Sequence, residues 1–529
     1  MKPGEPTKPA LQRIRDLQSK ATSASPDAIS RLVIVGGGSA GWMAAATLSN
    51  VLGPQCRITL VESELIGTVG VGEATIPPLQ MLHRIMGVDE RQFMRDSRST
   101  FKLGIEFVNW GRQNHRYFHP FGHYAVAFDE LPLYQHWLKH RHLAGMGMLE
   151  DYSLAWQAAR LDRFALPSGD AGALGASFNY AYHFDASLYA KHLRSLSEQR
   201  GVTRIEGRIT QVERQSTNGF VAAVVLENGQ RIEGDFFIDC SGFAALLIGQ
   251  SLQVGYESWA QWLPCDRAVA VPCSLDNPPP PYTRSTALAA GWQWTIALQH
   301  RIGNGHVYSS SFTTEQEATD TLMSRLPGRA LAEPRPLRFV PGRRHKVWEH
   351  NVLALGLASG FLEPLESTSL HLVQSGLIGL LSLFPDRHCH AAVRDEFNRR
   401  FALEMERIRD FLILHYKLNE RSDSPMWQYC ANMKVPDSLQ ERLDLFAHGG
   451  HVQTDSYDLF GVENWLAVHI GQFNIPGSHS GLLDLRNFDG RTTLLRLLSD
   501  LRQRAAQMPS HEAFLKRHLG AASASLGVR

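Results

Sequence analysis

The run Gly36-Gly37-Gly38-Ser39-Ala40-Gly41 has the residue types and the spacing of a loop that binds a pyrophosphate. Its first glycine permits a tight turn, its third lets phosphate oxygens approach the backbone, and its last lets a helix pack closely against a strand. The free N–H groups at the start of that helix would face the phosphates. We therefore predict that the ligand is held by Gly36, Gly38, Ser39, Ala40 and Gly41.

The neighbouring sequence predicts the elements that must position this loop. An apolar run at 31–35 predicts a strand before the loop, and the run at 42–48 predicts a helix after it. A second apolar run at 57–61 ends at Glu62, 21 residues beyond Gly41, where a carboxylate would bond a ribose hydroxyl. The order strand, turn, helix, strand is that of a dinucleotide-binding unit.

Two later segments are predicted strands that end in small or acidic residues. They are 234–242, which contains Asp239, and 352–358, which contains Gly356. With the glycine loop, these segments resemble the discontinuous FAD site of aromatic-hydroxylase-type flavoproteins. The sequence has no second glycine loop with strand and helix flanks for NAD(P)H, so we expect a separate reductase to supply the reduced FAD.

Two tryptophans, Trp292 and Trp294, stand at i, i+2 in a predicted strand. Residues at that spacing face the same side of a strand, where large rings can wall a passage between a cofactor and a substrate. Buried tryptophans are just as commonly plain core residues. Both interpretations remain open at this point.

Composition excludes some partners. The 53 basic and 52 acidic side chains leave a net charge of +1, so no global field attracts nucleic acid or an acidic membrane surface. The six cysteines lack C-x-x-C spacing and are expected to be reduced thiols in a cytoplasmic protein, with no metal site. We expect a monomer or a homodimer that acts on a small molecule.

Three regions are predicted along the chain. Residues 1–30 are polar, lack the apolar core of a signal peptide and are expected to form a flexible arm. Residues 31–387 are expected to form an α/β, Rossmann-like FAD-binding body and substrate box with a mixed sheet, and 388–529 a mainly helical C-terminal cap. The apolar stretch at 377–384 is too short to span a bilayer about 30 Å thick.

Further motifs carry a resemblance to a known family. From about residue 31 onward the chain resembles the flavin-dependent tryptophan halogenases. The matching motifs after the glycine loop are Val71-Gly72-Glu73-Ala74-Thr75-Ile76-Pro77, Phe101-Lys102-Leu103-Gly104-Ile105, Gly291-Trp292-Gln293-Trp294-Thr295-Ile296 and Phe361-Leu362-Glu363-Pro364-Leu365-Glu366-Ser367-Thr368. Ala297 stands where the family has proline, and Ser369 where it usually has glycine.

The resemblance implies an enzyme that uses reduced FAD, O₂ and chloride or bromide to make hypohalous acid. Lys102 is then expected to hydrogen-bond that acid or to hold the halogen as a haloamine, a role that burial and a tunable pKa allow. Glu366 is expected to stabilise the positive charge on the attacked ring and to accept the proton it loses. Lys102 and Glu366 would both lie in a water-poor tunnel between the flavin and the aromatic substrate.

The resemblance also implies the rest of the site. Ser367, Thr368 and Ser369 are expected to contact the halide, where backbone N–H groups and a hydroxyl replace part of its hydration shell. Ala74 is expected at the cofactor. The residues expected to line the substrate pocket are His119, Phe121, Trp292, Trp294 and Trp465.

The substrate expectation rests on 455–465, which lacks the tyrosine pair with which free-tryptophan enzymes grip the amino acid. We therefore expect a broad-scope or indole-type member that halogenates an electron-rich aromatic: indole, a substituted indole, a phenol or an aromatic side chain exposed on a peptide. The alternatives are a free-tryptophan halogenase, an FAD-dependent aromatic hydroxylase of the same fold, and a non-catalytic flavin-binding protein.

Overall fold

The computed structural model describes residues 25–64, 72–124, 127–167 and 178–520. The predicted arm therefore lies outside the described residues up to residue 24, as does Val71 of the second motif. The last residues expected in the arm are instead packed against the body. Ile29 is buried, and the Ser30 N–H donates to Asp235 at 3.0 Å.

The strands are numbered along the described chain. They are β1 (Arg31–Val35), β2 (Arg57–Glu62), β3 (Gly72–Ala74), β4 (Thr100–Lys102), β5 (Gly104–Val108), β6 (Arg116–Pro120), β7 (Ala181–Asp185), β8 (Thr203–Glu206), β9 (Ile209–Arg214), β10 (Val221–Leu226), β11 (Arg231–Glu233), β12 (Phe236–Asp239), β13 (Tyr256–Ser258), β14 (Arg267–Cys273), β15 (Thr283–Leu288), β16 (Gly291–Ala297), β17 (Ile302–Tyr308), β18 (Arg335–Arg338), β19 (Gly342–Arg344), β20 (Trp348–Glu349), β21 (Val352–Ala354) and β22 (Gly360–Phe361).

The α-helices are numbered in the same way. They are α1 (Ser39–Leu52), α2 (Leu79–Met86), α3 (Glu90–Asp96), α4 (Leu133–His140), α5 (Leu154–Ala159), α6 (Ala186–Gln199), α7 (Glu315–Ser324), α8 (Ser369–Ser382), α9 (Ala391–Lys417), α10 (Pro425–Asn432), α11 (Asp437–Ala447), α12 (Val462–Gly471), α13 (Leu482–Leu485), α14 (Gly490–Gln507) and α15 (His511–Leu519).

A six-stranded sheet in the order β20-β21-β12-β1-β2-β8 carries the glycine loop. Strand β1 pairs in parallel with β2 on one side and with β12 on the other, and β12 pairs in parallel with β21. Such strands are buried on both faces, which explains their continuous apolar runs. The predicted order of strand, loop, helix and strand is confirmed, and all three predicted segments end at the same edge of this sheet.

A seven-stranded sheet in the order β18-β14-β17-β16-β15-β5-β6 builds the second half of the body. It is mixed, as expected, because β15 and β5 run parallel while their other neighbours are antiparallel. A small sheet in the order β3-β7-β4 lies beside it and presents β4 to the interior.

Helices α9 to α15 account for the regular structure that the described chain has after residue 388. They do not form a detached unit, because α9 packs on α8 and on α10, and α12 packs on β6. Within the described ranges, no helix combines the length and the apolar character needed to cross a membrane.

Candidate active site

The glycine loop has the shape that a bound phosphate requires. Gly36 has φ +111°, and a Cβ there would lie 2.2 Å from the carbonyl oxygen of Cys240 on the neighbouring strand. Gly38 is different, because a Cβ built there would meet nothing within 4 Å. It is the N-cap of α1, and no side chain caps that helix. The loop therefore leaves open space in front of free backbone N–H groups, which fits a pyrophosphate.

Two other predicted cofactor residues lie beside this loop. The Glu62 carboxylate is so close that a Cβ on Gly37 would be 1.5 Å from its Oε2. Gly356 has φ +63°, and a Cβ there would lie 2.9 Å from the Cβ of Ala40. The structure thus brings the ends of β2 and β21 to the start of α1, as a divided dinucleotide site needs.

Asp239 lies at the end of β12, where it was expected, but its carboxylate faces its own chain. Its Oδ1 accepts from the N–H and the hydroxyl of Ser241, and its Oδ2 accepts from the N–H groups of Leu247 and Ile248 at 2.8 and 2.9 Å. This side chain shapes the turn that follows β12. The Asp239 side chain therefore supports the loop after β12, and its expected contact with the cofactor stays a prediction.

Lys102 is fully buried at the end of β4. Its Nζ donates to the carbonyl oxygen of Thr75 at 3.0 Å and to Oγ of Ser367 at 2.9 Å, and lies 5.0 Å from the centre of the Phe121 ring. Burial lowers the pKa of Lys102 from 10.5 to about 7, against the opposing effect of Glu366 and Glu73. A substantial fraction of this amine is therefore neutral near neutral pH.

Glu366 is fully buried in a short turn that immediately precedes Ser367. Its Oε1 lies 2.9 Å from Nδ1 of His119 and 2.8 Å from Nε2 of His415. Burial by itself raises the pKa of this carboxyl, but the two histidines outweigh it and hold the pKa at about 2. Oε2 is buried and has no hydrogen-bond partner among the residues that the structure describes.

The expected halide residues follow directly. Ser367 has the left-handed φ of +59°, Thr368 is fully buried, and Ser369 begins α8. Oγ1 of Thr368 is buried without a partner in the described part of the chain. A hydroxyl, a helix N-terminus and the Lys102 amine thus meet at one turn, which is a suitable donor set for an anion.

Aromatic side chains surround Glu366 on the side of His119. The ring of Phe411 lies 5.9 Å from that of His119, 5.3 Å from that of Trp465 and 4.0 Å from that of Phe460. The Phe121 ring lies 6.5 Å from the His119 ring. His119, Phe121 and Trp465 are therefore brought together, as the sequence predicted, and Phe411 and Phe460 complete the aromatic wall.

Trp292 and Trp294 lie in β16 with their rings 6.2 Å apart, and both are buried. Nε1 of Trp292 donates to Oε2 of Glu363 at 2.7 Å, which ties the ring to the segment that carries Glu366. The ring of Trp294 covers Gly305, where a Cβ would lie 2.0 Å from it. Both tryptophans are thus firmly fixed core residues next to the site.

Several site residues were missed by the sequence interpretation. His415 comes from the last turn of α9, and Asn464, whose Nδ2 lies 2.7 Å from Nε2 of His119, comes from α12. Neither residue lies in a recognised motif. Glu363 could have been found, since it lies in the motif with Glu366. Ala74 is buried on β3, next to the Thr75 carbonyl that Lys102 contacts.

Comparisons with known proteins agree with this geometry. A family model described as tryptophan halogenase matches residues 31–487. A curated relative, the tryptophan 6-halogenase SttH of Streptomyces toxytricini, is 35% identical over 444 residues, which cover 78% of this chain and 83% of the relative.

Two solved structures are similar over nearly the whole chain. Xcc4156, a flavin-dependent halogenase from Xanthomonas campestris, is 47% identical with a TM-score of 0.88, and the match covers 93% of this chain and 98% of that one. BrvH, a flavin-dependent halogenase from Brevundimonas sp. BAL3, is 41% identical with a TM-score of 0.89, and the match covers 93% and 99%.

Proposed function

Since the chain belongs to the tryptophan halogenase family, we propose that its buried site halogenates an indole-type aromatic ring. The protein is a flavin-dependent halogenase, and its co-substrates are reduced FAD, O₂ and chloride or bromide. The observation that supports this use of the site best is the meeting of Lys102 and Glu366 at Ser367, whose Oγ accepts from Lys102 at 2.9 Å.

The glycine loop would hold the FAD pyrophosphate, with Glu62 at the ribose and Gly356 close to the start of α1. When bound and reduced, FAD supplies the activation of O₂ that turns halide into hypohalous acid. Thr368, Ser369 and the hydroxyl of Ser367 would hold the halide beforehand. Oγ1 of Thr368 has no partner in the part of the chain that the structure describes. This supports the assignment, since a buried hydroxyl normally has a partner.

Lys102 would receive the hypohalous acid. As an ammonium it can donate a hydrogen bond to the acid. As a free amine it can attack the halogen of the acid, so that the oxygen–halogen bond breaks, a haloamine forms and water leaves. Its pKa of about 7 supports both roles, because both forms of the side chain are populated near neutral pH. Its full burial keeps bulk water from consuming the oxidant.

Glu366 would act on the aromatic ring. Attack by the electrophilic halogen leaves positive charge on the ring, which a nearby carboxylate stabilises. Oε2, which has no hydrogen-bond partner among the described residues, can then accept the proton that leaves the ring. A carboxylate with a pKa of about 2 is a weak base, but it is sufficient for so strong an acid as a protonated arene.

The wall next to His119 supports a substrate without an amino-acid head group. Phe411, Phe460 and Trp465 present rings there. The nearby carboxylates of the segment 455–465 already have partners, since Asp455 pairs with Arg407 and Asp458 with Arg442. Glu463 pairs with His123. An apolar indole suits this aromatic wall better than the zwitterion of free tryptophan.

We further propose that the enzyme is cytoplasmic and receives reduced flavin from a separate reductase as a monomer or homodimer. All six cysteines are free thiols, which supports a reducing compartment. The reductase proposal follows from the family and from the sequence, which has a single glycine loop of the required type.

The test is an assay with a flavin reductase, NADH, FAD and bromide, followed by mass spectrometry of indole and of free tryptophan. We expect brominated indole that requires bromide, and little product from tryptophan. The variant K102A should lose at least about 100-fold of this activity while still consuming O₂. An oxygenated product that forms without halide and survives K102A would indicate the hydroxylase instead, and efficient turnover of tryptophan but not indole would overturn the substrate proposal.

A further inference from the structure

The contacts of Glu366 fix where protons lie in the site. Its Oε1 has two imidazole nitrogens within hydrogen-bond distance, Nδ1 of His119 at 2.9 Å and Nε2 of His415 at 2.8 Å. All three side chains are at most 1% exposed, so their hydrogen-bond partners are groups of the protein. The tautomer of each histidine follows from the partner of its other nitrogen.

His119 is a neutral imidazole by this reasoning. Its Nε2 lies 2.7 Å from Nδ2 of Asn464. The orientation of that amide is set by its other end, where Oδ1 accepts from the Gly461 N–H at 2.8 Å. The amide N–H therefore donates to Nε2 of His119, which must accept. The single proton of the ring is then on Nδ1, which donates to Glu366.

His415 differs, because both of its nitrogens face acceptors. Nδ1 lies 2.9 Å from the carbonyl oxygen of Phe411, one turn earlier in α9, and a carbonyl can only accept. Nε2 lies 2.8 Å from the Glu366 carboxylate. A neutral His415 would place a nitrogen lone pair against a carboxylate oxygen at hydrogen-bond distance. A proton must therefore lie between these two groups.

We propose that His415 is held as an imidazolium whose charge keeps Glu366 ionised and whose N–H fixes Oε1, so that Oε2 is left for the substrate. This inference rests on the proposed function, since it names a positioning residue for the same carboxylate. His415 acts through Glu366 and does not touch the ring that reacts.

Three elements bring titratable groups to Glu366. The titratable groups that face Glu366 are His119 and Tyr117 from β6, Lys102 from β4 and His415 from α9. With His415 as its counter-ion, Glu366 does not need Lys102 to balance its charge. The Lys102 side chain can then exchange between ammonium and free amine without leaving the carboxylate unpaired.

The variants H415F and H415Q test the proposal. H415F keeps an aromatic ring in the packing but removes both the charge and the donor, whereas H415Q keeps an N–H donor without the charge. H83F is the matched control, because His83 is also a buried histidine in a helix and lies outside the site. Burial lowers the pKa of His83 to about 3, so this ring is neutral over the pH range of the test. Each variant is compared with wild type by the kcat for brominated indole across pH.

We expect the ratio of H415F to wild-type kcat to fall by about tenfold or more between about pH 8 and about pH 6, because unpaired Glu366 becomes protonated as pH falls. H415Q should show a smaller fall, and H83F a flat ratio. A flat ratio for H415F would mean that His415 only packs, and the proposal would be wrong. Absence of halogenated product from wild type itself would instead reject the proposed function.

An infrared difference spectrum gives a second measurement that needs no change at His415. The spectrum of wild type minus E366Q contains the bands of one carboxyl group, and its ionised and protonated forms absorb in separate regions. We expect the carboxylate signature at about pH 6. A protonated carboxyl at that pH would place the shared proton on Glu366 and overturn the proposal.

Discussion

At the scale of single residues, the site contains a buried lysine whose charged form is destabilised by burial. Lys102 is fully buried, and its pKa is lowered from 10.5 to about 7 because burial penalises the ammonium form. A group whose pKa is lower in the folded chain binds its proton better in the unfolded chain, so its protonation favours unfolding. Below pH 7 this penalty is complete, and it disappears as pH rises toward 10.5.

The variant K102M should therefore stabilise the protein in a pH-dependent way. The penalty removed at low pH is on the order of 5 kcal/mol, less the loss of the two hydrogen bonds of Nζ. We expect the difference in Tm between K102M and wild type to be largest near pH 6 and to shrink steadily toward about pH 10. Thermal unfolding followed by circular dichroism at several pH values measures it, and a difference that is constant with pH would contradict the lowered pKa.

At the scale of elements, parallel pairing explains how distant segments build one cofactor site. Strands β2, β1, β12 and β21 are neighbours, so the residues that follow each of them lie at the same edge. Gly36 and Gly38 at this edge are required for different reasons. Gly36 lets two strands approach closely, whereas Gly38 borders open space at the N-terminus of α1.

The variant G38A tests whether the open space at Gly38 is needed for FAD binding and not for folding. A Cβ at Gly38 meets nothing within 4 Å in the protein, so the variant should fold with an unchanged Tm. If the FAD pyrophosphate takes that space, affinity for FAD should fall by about tenfold or more. Isothermal titration with FAD measures this loss.

G477A is the matched control, since a Cβ there also meets nothing within 4 Å and the residue lies in a loop outside the proposed cofactor site. We expect its FAD affinity to equal that of wild type. Equal affinity for G38A and G477A would show that no phosphate approaches Gly38.

At the scale of the whole molecule, the C-terminal helix α15 packs against β4, the strand that carries Lys102. Helix α15 follows the region matched by the family model, yet its His511 reaches β4. The Phe101 N–H, next to Lys102, donates to Nε2 of His511 at 3.2 Å, and Nδ1 of His511 lies 2.8 Å from the Pro279 carbonyl oxygen. The helical part is therefore a structural partner of the body.

The variant H511L should leave the Phe101 N–H and the Pro279 carbonyl without partners in a buried place, at a cost of about 1–3 kcal/mol for each unsatisfied group. We expect a clear fall in Tm and a smaller fall in the rate of indole bromination. K516A on the same helix is the control, because Lys516 is exposed and its pair with Glu512 is worth only tenths of a kcal/mol. Equal Tm values for the two variants would argue against this support.

The sequence by itself determined the dinucleotide-binding unit, because the glycine spacing and the flanking apolar runs are local patterns with a specific structural meaning. The family resemblance added Lys102 and Glu366, and the tertiary structure brings them together as expected. The structure alone placed the Asp239 carboxylate in its own turn, packed residues 28–30 against the body and brought His415 from α9 to Glu366. These outcomes depend on contacts between residues far apart in the chain, which no local pattern encodes, because the partner of a buried polar group is chosen by packing and not by sequence spacing.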